Sequence, residues 1–304
     1  MHKYSVSVTH KFRGTGVALV TPFNSDGSID FTGLNKLINH VIDGGVEYLV
    51  AMGTTGESAT LSEQERFEII DFTLAASNGR VPVVGGFGGN NTMEIIHSIQ
   101  RYKSHCSGKK YIDAILIASP YYNKPSQEGI YQHYIAIDQV VEVPIILYNV
   151  PGRTSSNMEA ATTVRLANDA KHVIAIKEAS GNFVQCMHII RDAPAGFLVI
   201  SGDDPITLPF IAMGMQGVIS VVGNAYPKDF SNMVRESLQH QFSTANPLHY
   251  KLLDFTELIF KEGSPAGVKY ALKKLGVCGD KVRLPLWKIS DGLEKQLDDC
   301  MGKM

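Results

Sequence analysis

The chain has 304 residues, 44% apolar and 19% charged, with 28 basic against 30 acidic side chains for a formal charge of −2. Disorder is excluded as the main state, because so apolar a chain buries enough surface to offset its ordering entropy. The balanced charge argues against a nucleic-acid binder, which carries a concentrated basic excess; Lys109-Lys110 and Lys273-Lys274 are no more than pairs.

The chain opens with Met-His-Lys-Tyr-Ser-Val-Ser-Val-Thr-His, which lacks the apolar core of a signal peptide. No window approaches the ~20 apolar residues of a membrane span. Cys106, Cys186, Cys278 and Cys300 show no CxxC spacing, as expected of reduced thiols. A soluble cytoplasmic protein is expected.

Eight short apolar runs then follow: VALVTPF from Val17, YLVAMGTT from Tyr48, VPVVGGFG from Val81, DAILIASP from Asp113, PIILYNV from Pro144, VIAIKEA from Val173, FLVISGDD from Phe197 and GVISVVGN from Gly217. Most offsets match the ~30 residues of a βα unit. The runs lack polar alternation, as strands buried on both faces of a parallel sheet do. Helical patterns lie between them. Ser62-Glu63-Gln64-Glu65 spells a capping box, and 91–102 and 127–140 carry apolar residues three and four apart. Eight such units predict a (β/α)8 barrel, with a doubly wound open sheet as the rival. The predicted barrel occupies residues 1–225, its last helix running on to about 241. Residues 226–304 read as a C-terminal helical region, with helices over 229–241 and 247–260 and a third opening at an N-cap Ser264 with Pro265 at N1 and closing at Gly276.

Barrel chemistry sits where strands end. Gly53-Thr54-Thr55-Gly56-Glu57-Ser58 follows the second run, and its amides and hydroxyls suit a carboxylate, a phosphate or simply a capped turn. Tyr121 and Tyr122 follow the fourth run, as packing, an oligomer contact or a hydroxyl relay. Tyr148 ends the fifth, where a phenol can pass protons or merely fill the interior. Pro151-Gly152 suggests a type II turn aiming Arg153 over the mouth, its fork matched to a carboxylate. Lys177 closes VIAIK. An amine in an apolar strand end can stay neutral and form a Schiff base, or it can snorkel to solvent. After the seventh run, Asp204-Pro205 reads as N-cap and N1 rather than metal ligands, while Gly202 permits close backbone approach. Glycine is missing at Asn91, so GxGxxG is not met, and neither a P-loop nor HExxH occurs. No metal, nucleotide or flavin site is expected.

In order and spacing, GTGVALVTPF, GTTGES, SPYYNKPSQEG, YNVPGRT, IKEASG, SGDD and GVIS together resemble the dihydrodipicolinate synthase family of class I pyruvate aldolases. The resemblance implies a homotetrameric (β/α)8 enzyme, a dimer of dimers. It would condense pyruvate with aspartate-β-semialdehyde to 4-hydroxy-tetrahydrodipicolinate, the first committed step of lysine (diaminopimelate) biosynthesis. Lys177 falls on the Schiff-base lysine and Tyr148 on the proton-relay tyrosine; Thr55 and Tyr122 complete the relay, Tyr122 from a neighbouring subunit. Thr54 and Thr55 fall on the pyruvate-carboxylate site, Arg153 on the arginine for the semialdehyde carboxylate, and Gly202 and Ile219 line the pocket. The lysine nitrogen is the electron sink, so no cofactor is implied.

N-acetylneuraminate lyase and 2-keto-3-deoxy sugar-acid aldolases share the first step and are the alternatives; a non-catalytic keto-acid sensor is the alternative of another class. Ser58, Ala59, Asn90, Glu94 and Tyr121 match the family's allosteric lysine site. Glu63 and Arg66 stand where some inhibited members have histidines, so weak or absent feedback inhibition is expected.

Overall fold

The computed structural model describes residues 9–108 and 110–304. Most of the opening segment assessed for a signal peptide, and Lys109 of the Lys109-Lys110 pair, lie outside the described residues. Eight parallel strands close on themselves in sequence order: β1 (Gly14–Ala18), β2 (Tyr48–Ala51), β3 (Val83–Gly86), β4 (Ala114–Ala118), β5 (Ile145–Asn149), β6 (Val173–Glu178), β7 (Leu198–Ser201) and β8 (Gly217–Ser220). Pairing of β1 with β8 (Gly16 opposite Ile219) shuts the sheet and excludes the open doubly wound alternative. Only four to six residues of each apolar run enter the sheet. β1 starts at Gly14, upstream of VALVTPF, because a side chain at Gly16 would strike the Tyr48 ring and glycine alone lets β1 and β2 approach.

Between the strands lie α1 (Phe31–Asp43), α2 (Glu63–Ser77), α3 (Thr92–His105), α4 (Gln127–Asp138), α5 (Ala160–Asp169), α6 (Phe183–Asp192), α7 (Thr207–Ala212) and α8 (Pro227–Leu238). The capping box of α2 is present: Ser62 Oγ accepts from the Glu65 amide at 3.2 Å, and Glu65 accepts from the Ser62 amide at 2.9 Å. Asn91 caps α3 by accepting from the Met93 and Glu94 amides. The core is the barrel wall packed on the inner faces of these helices. Each fully buried Leu, Ile or Val there contributes about 1.5–3 kcal/mol.

Three helices follow: α9 (Phe242–Phe260), α10 (Ala266–Lys274) and α11 (Asp291–Met301). Two expectations need correction here. Pro247 lies inside α9 rather than at its start, the helix being held from Phe242 onward by the fully buried Ala245. Ser264 does not cap α10. Pro265, at φ −100° and ψ 8°, is outside helical geometry and itself occupies the cap position. No sequence signal marked α11, although Ser290 caps it by accepting from the Leu293 amide. Among the described residues no helix is long and apolar enough to cross a membrane.

Candidate active site

Lys177 and Tyr148 are opposite one another in the β5–β6 register, so both side chains fall on the same face of the barrel wall. Both are buried, Lys177 being 6% exposed, and the amine sits 4.2 Å from the centre of the Tyr148 ring. Gly202, just past β7, makes room for the lysine: a Cβ there would lie 2.9 Å from Cε of Lys177. Ile219 on β8 is buried in the same wall.

One residue along each strand, the side chains face the other way. Asn149 donates to both oxygens of Glu178 at 3.1 and 3.0 Å, and Gln185 on α6 donates to Glu178 at 3.1 Å. The Ser180 amide adds a fourth bond at 2.7 Å. This buried network ties the ends of β5 and β6 together directly behind Tyr148 and Lys177. It also disposes of a nearby thiol. Burial, then the negative Glu178, push Cys186 up to about 12, which leaves it protonated and inert.

Thr54 and Thr55 form a 3₁₀ turn (Thr54–Gly56) after β2, Thr55 buried and Thr54 exposed. Thr54 and Arg153 line one cleft of about 520 Å³, together with Ser58, Ala59 and Tyr121. The predicted type II turn is absent. Pro151–Thr154 is a single helical turn with Pro151 at N1, and Ser155 rather than Gly152 takes the left-handed conformation, at φ 54°. Arg153 is exposed on that turn at the cleft. Tyr122 is 87% exposed at φ 71°, so within one chain it stands apart from the buried Lys177–Tyr148 pair.

Asp204 is not the predicted N-cap; Asp203 takes that position. The buried Asp204 carboxylate instead accepts from the Val221 and Val222 amides at 2.8 and 3.0 Å, fixing the chain just past β8. Burial raises it to about 6, against the opposing pull of those amides, Ser220 and Lys177. A long-range bond of this kind has no local sequence signature.

Asn90, Glu94 and Tyr121 line a second cavity of about 220 Å³, and Arg66, Gly88, Gly89 and Tyr121 line both this cavity and the larger cleft. Glu63 is not directed at a ligand: Arg101 donates to it at 2.7 and 2.6 Å and to Glu94 at 2.6 Å.

Sequence reasoning also missed Lys269 on α10, wholly buried and paired with the buried Glu57 of the GTTGES loop. Its one signal was position: Lys269 precedes Leu272 by three residues, on the apolar side of its helix.

The profile of the Dihydrodipicolinate synthetase family matches residues 11–303. A relative from Flavobacterium psychrophilum named 4-hydroxy-tetrahydrodipicolinate synthase is 53% identical over 287 residues, covering 94% of this chain and 96% of its own. The dihydrodipicolinate synthase structure from Aquifex aeolicus superposes with a TM-score of 0.91 at 38% identity, covering 96% of this chain and 98% of that one. A monomeric dihydrodipicolinate synthase variant superposes at 0.92 with 35% identity and 97% coverage of both chains.

Proposed function

The chain belongs to the dihydrodipicolinate synthetase family, and from that premise we propose how its residues divide the work of one reaction. The protein condenses pyruvate with aspartate-β-semialdehyde to 4-hydroxy-tetrahydrodipicolinate, in the route to lysine and diaminopimelate. The observation that carries the residue assignment is the buried Lys177 amine 4.2 Å from the Tyr148 ring beside side-chain-free Gly202.

In this reading the Lys177 amine attacks the keto carbon of pyruvate, and loss of water leaves an iminium. Removal of a methyl proton gives the enamine, whose carbon attacks the semialdehyde carbonyl. The amino group of the new product then closes onto the imine carbon and releases Lys177. Tyr148 gives and takes the protons, relayed through Thr55 and through Tyr122 of a neighbouring subunit. Thr54 and Thr55 hold the pyruvate carboxylate. Arg153, on its rigid helical turn at the cleft, binds the semialdehyde carboxylate as a fork. Gly202 and Ile219 shape the pocket.

The assembly belongs to the same proposal. Two exposed apolar sets, Tyr121 with Tyr122 after β4 and Phe183, Val184 and Met187 on α6, suit the two interfaces of a dimer of dimers. A monomeric relative exists, so sedimentation decides the point: a tetramer supports this reading and a monomer overturns the role of Tyr122. A cytoplasmic setting suits the four free cysteines.

Borohydride reduction in the presence of pyruvate, followed by peptide mass analysis, tests the whole assignment. The expected adduct is on Lys177; label on another lysine overturns the site. An aldehyde panel beside it separates the synthase from sugar-acid aldolases, and absence of any adduct favours a sensor.

A further inference from the structure

Residue Glu57 has an unusual backbone for a side-chain-bearing residue: φ 56° and ψ 33°, the left-handed region, at the joint between the turns Thr54–Gly56 and Ser58–Thr60. That conformation costs a non-glycine residue about 1 kcal/mol, so glycine would serve better if only the bend mattered. The side chain explains the choice. It is fully buried, and both its oxygens are used, one by the Lys269 amine and the other by the Arg283 amide at 3.0 Å.

Lys269 in turn donates to the Lys281 carbonyl at 2.7 Å and lies over the Phe23 ring at 4.4 Å. The Arg283 guanidinium grips the far end of the same loop, donating to the Thr60 carbonyl at 2.9 Å. From the barrel side, the Thr21 hydroxyl donates to the Gly56 carbonyl at 2.6 Å. Gly56, Glu57 and Thr60 of the Gly53–Thr60 loop are therefore each held by a residue far away in sequence. Glu57 and Lys269 are 212 residues apart.

A buried ion pair adds little net stability, because desolvation offsets its attraction. Its value is the single geometry it permits. We propose that Glu57 and Lys269 are positioning residues for the reaction: their buried pair, with the Arg283 amide, holds the Gly53–Thr60 loop in the shape that presents Thr54 and Thr55 to a substrate carboxylate. The C-terminal helical region, remote from the barrel mouth in sequence, thereby sets pyruvate affinity. The substrate half of this inference rests on the assignment of Thr54 and Thr55 above.

The E57Q/K269M double variant tests it, since removing both charges together avoids a stranded buried ion. Its thermal midpoint should stay near wild type. The KM for pyruvate should rise roughly tenfold or more while that for the semialdehyde holds within about twofold. The amides of Gly56, residue 57 and Thr60 should exchange with deuterium roughly tenfold faster. E57G should raise the pyruvate KM likewise, because it keeps the bend and loses the anchor. Unchanged pyruvate KM in either folded variant overturns the proposal, as does an equal loss for both substrates that tracks a fallen midpoint. If wild type forms no pyruvate adduct, the carboxylate assignment falls instead. Hydrogen exchange then judges the clamp alone: acceleration supports it and unchanged protection overturns it.

Discussion

Lys177 and Lys269 are both buried, 6% and 0% exposed, yet their surroundings differ in kind. Lys269 meets a carboxylate and a carbonyl, so two of its three donors are used and its charge is matched. Lys177 meets an aromatic face, and among the described residues it forms no ion pair. A buried amine with its charge matched is a structural fixture. One that no carboxylate contacts directly, at a strand end beside a glycine gap, is left open to a substrate. The identical substitution at the two positions should therefore fail in different ways. K177M should keep its thermal midpoint and lose at least roughly a thousandfold in kcat, with no borohydride adduct. K269M alone strands Glu57 and should lose about 3–5 kcal/mol in urea unfolding, while its Lys177 still forms the adduct. A K177M protein with near-normal turnover would erase the distinction.

Tyr148 sharpens the reactive half of the contrast. Y148F keeps the ring beneath the amine and removes only the hydroxyl, so the fold and the cation–ring contact survive. Turnover should fall by about a hundredfold or more, the usual worth of a positioned proton donor. Pyruvate trapping should slow while ending on the same lysine. Equal loss of thermal stability and activity would instead assign the tyrosine to packing.

The contrast also explains which features are legible in the amino-acid sequence. Lys177, Tyr148 and the GTTGES turn announce themselves because each closes an apolar run, and a barrel puts all such ends at one mouth. Lys269 closes no run, and although Glu178 and Asp204 lie at run ends, that logic says nothing of what they hold. Their partners lie on other elements: Glu57 for Lys269, Asn149 and Gln185 for Glu178, the Val221 and Val222 amides for Asp204. Eight strands were legible as runs, but β1 was displaced toward Gly14 because close strand approach, not hydrophobicity, decides where it pairs. The type II turn failed for a local reason: proline followed by glycine also starts a helix when the glycine keeps a negative φ.

Two further buried groups, His133 and Asp204, set the response to acid in opposite senses. Burial lowers His133 to about 4 from an ordinary 6.5. Below pH 6.5 the unfolded chain takes up a proton that the folded one refuses, so stability is lost on acidification, by about 2 kcal/mol at pH 5. Asp204, raised to about 6 from 3.8, works the other way. The folded state binds the extra proton below pH 6 and gains about 1 kcal/mol between pH 7 and 5. Urea midpoints at the two pH values should therefore fall less for H133Q than for wild type, and more for D204N. The reverse order would show that these groups do not govern the acid limb.

The smallest expected effect concerns the second cavity. A ligand ammonium entering there would need a free carboxylate, and Glu94 is already held by Arg101 at 2.6 Å, with Glu63 sharing the same guanidinium. Inhibition by lysine should accordingly be weak. Arg101 is about half exposed, and solvent screening keeps such a surface pair weak. Releasing Glu94 with R101A should thus strengthen any lysine response by at most about fivefold. Tight, saturable inhibition of wild type would show that the Glu63 and Arg66 arrangement accommodates lysine after all. A response unchanged in R101A would show that competition for Glu94 is not what limits it.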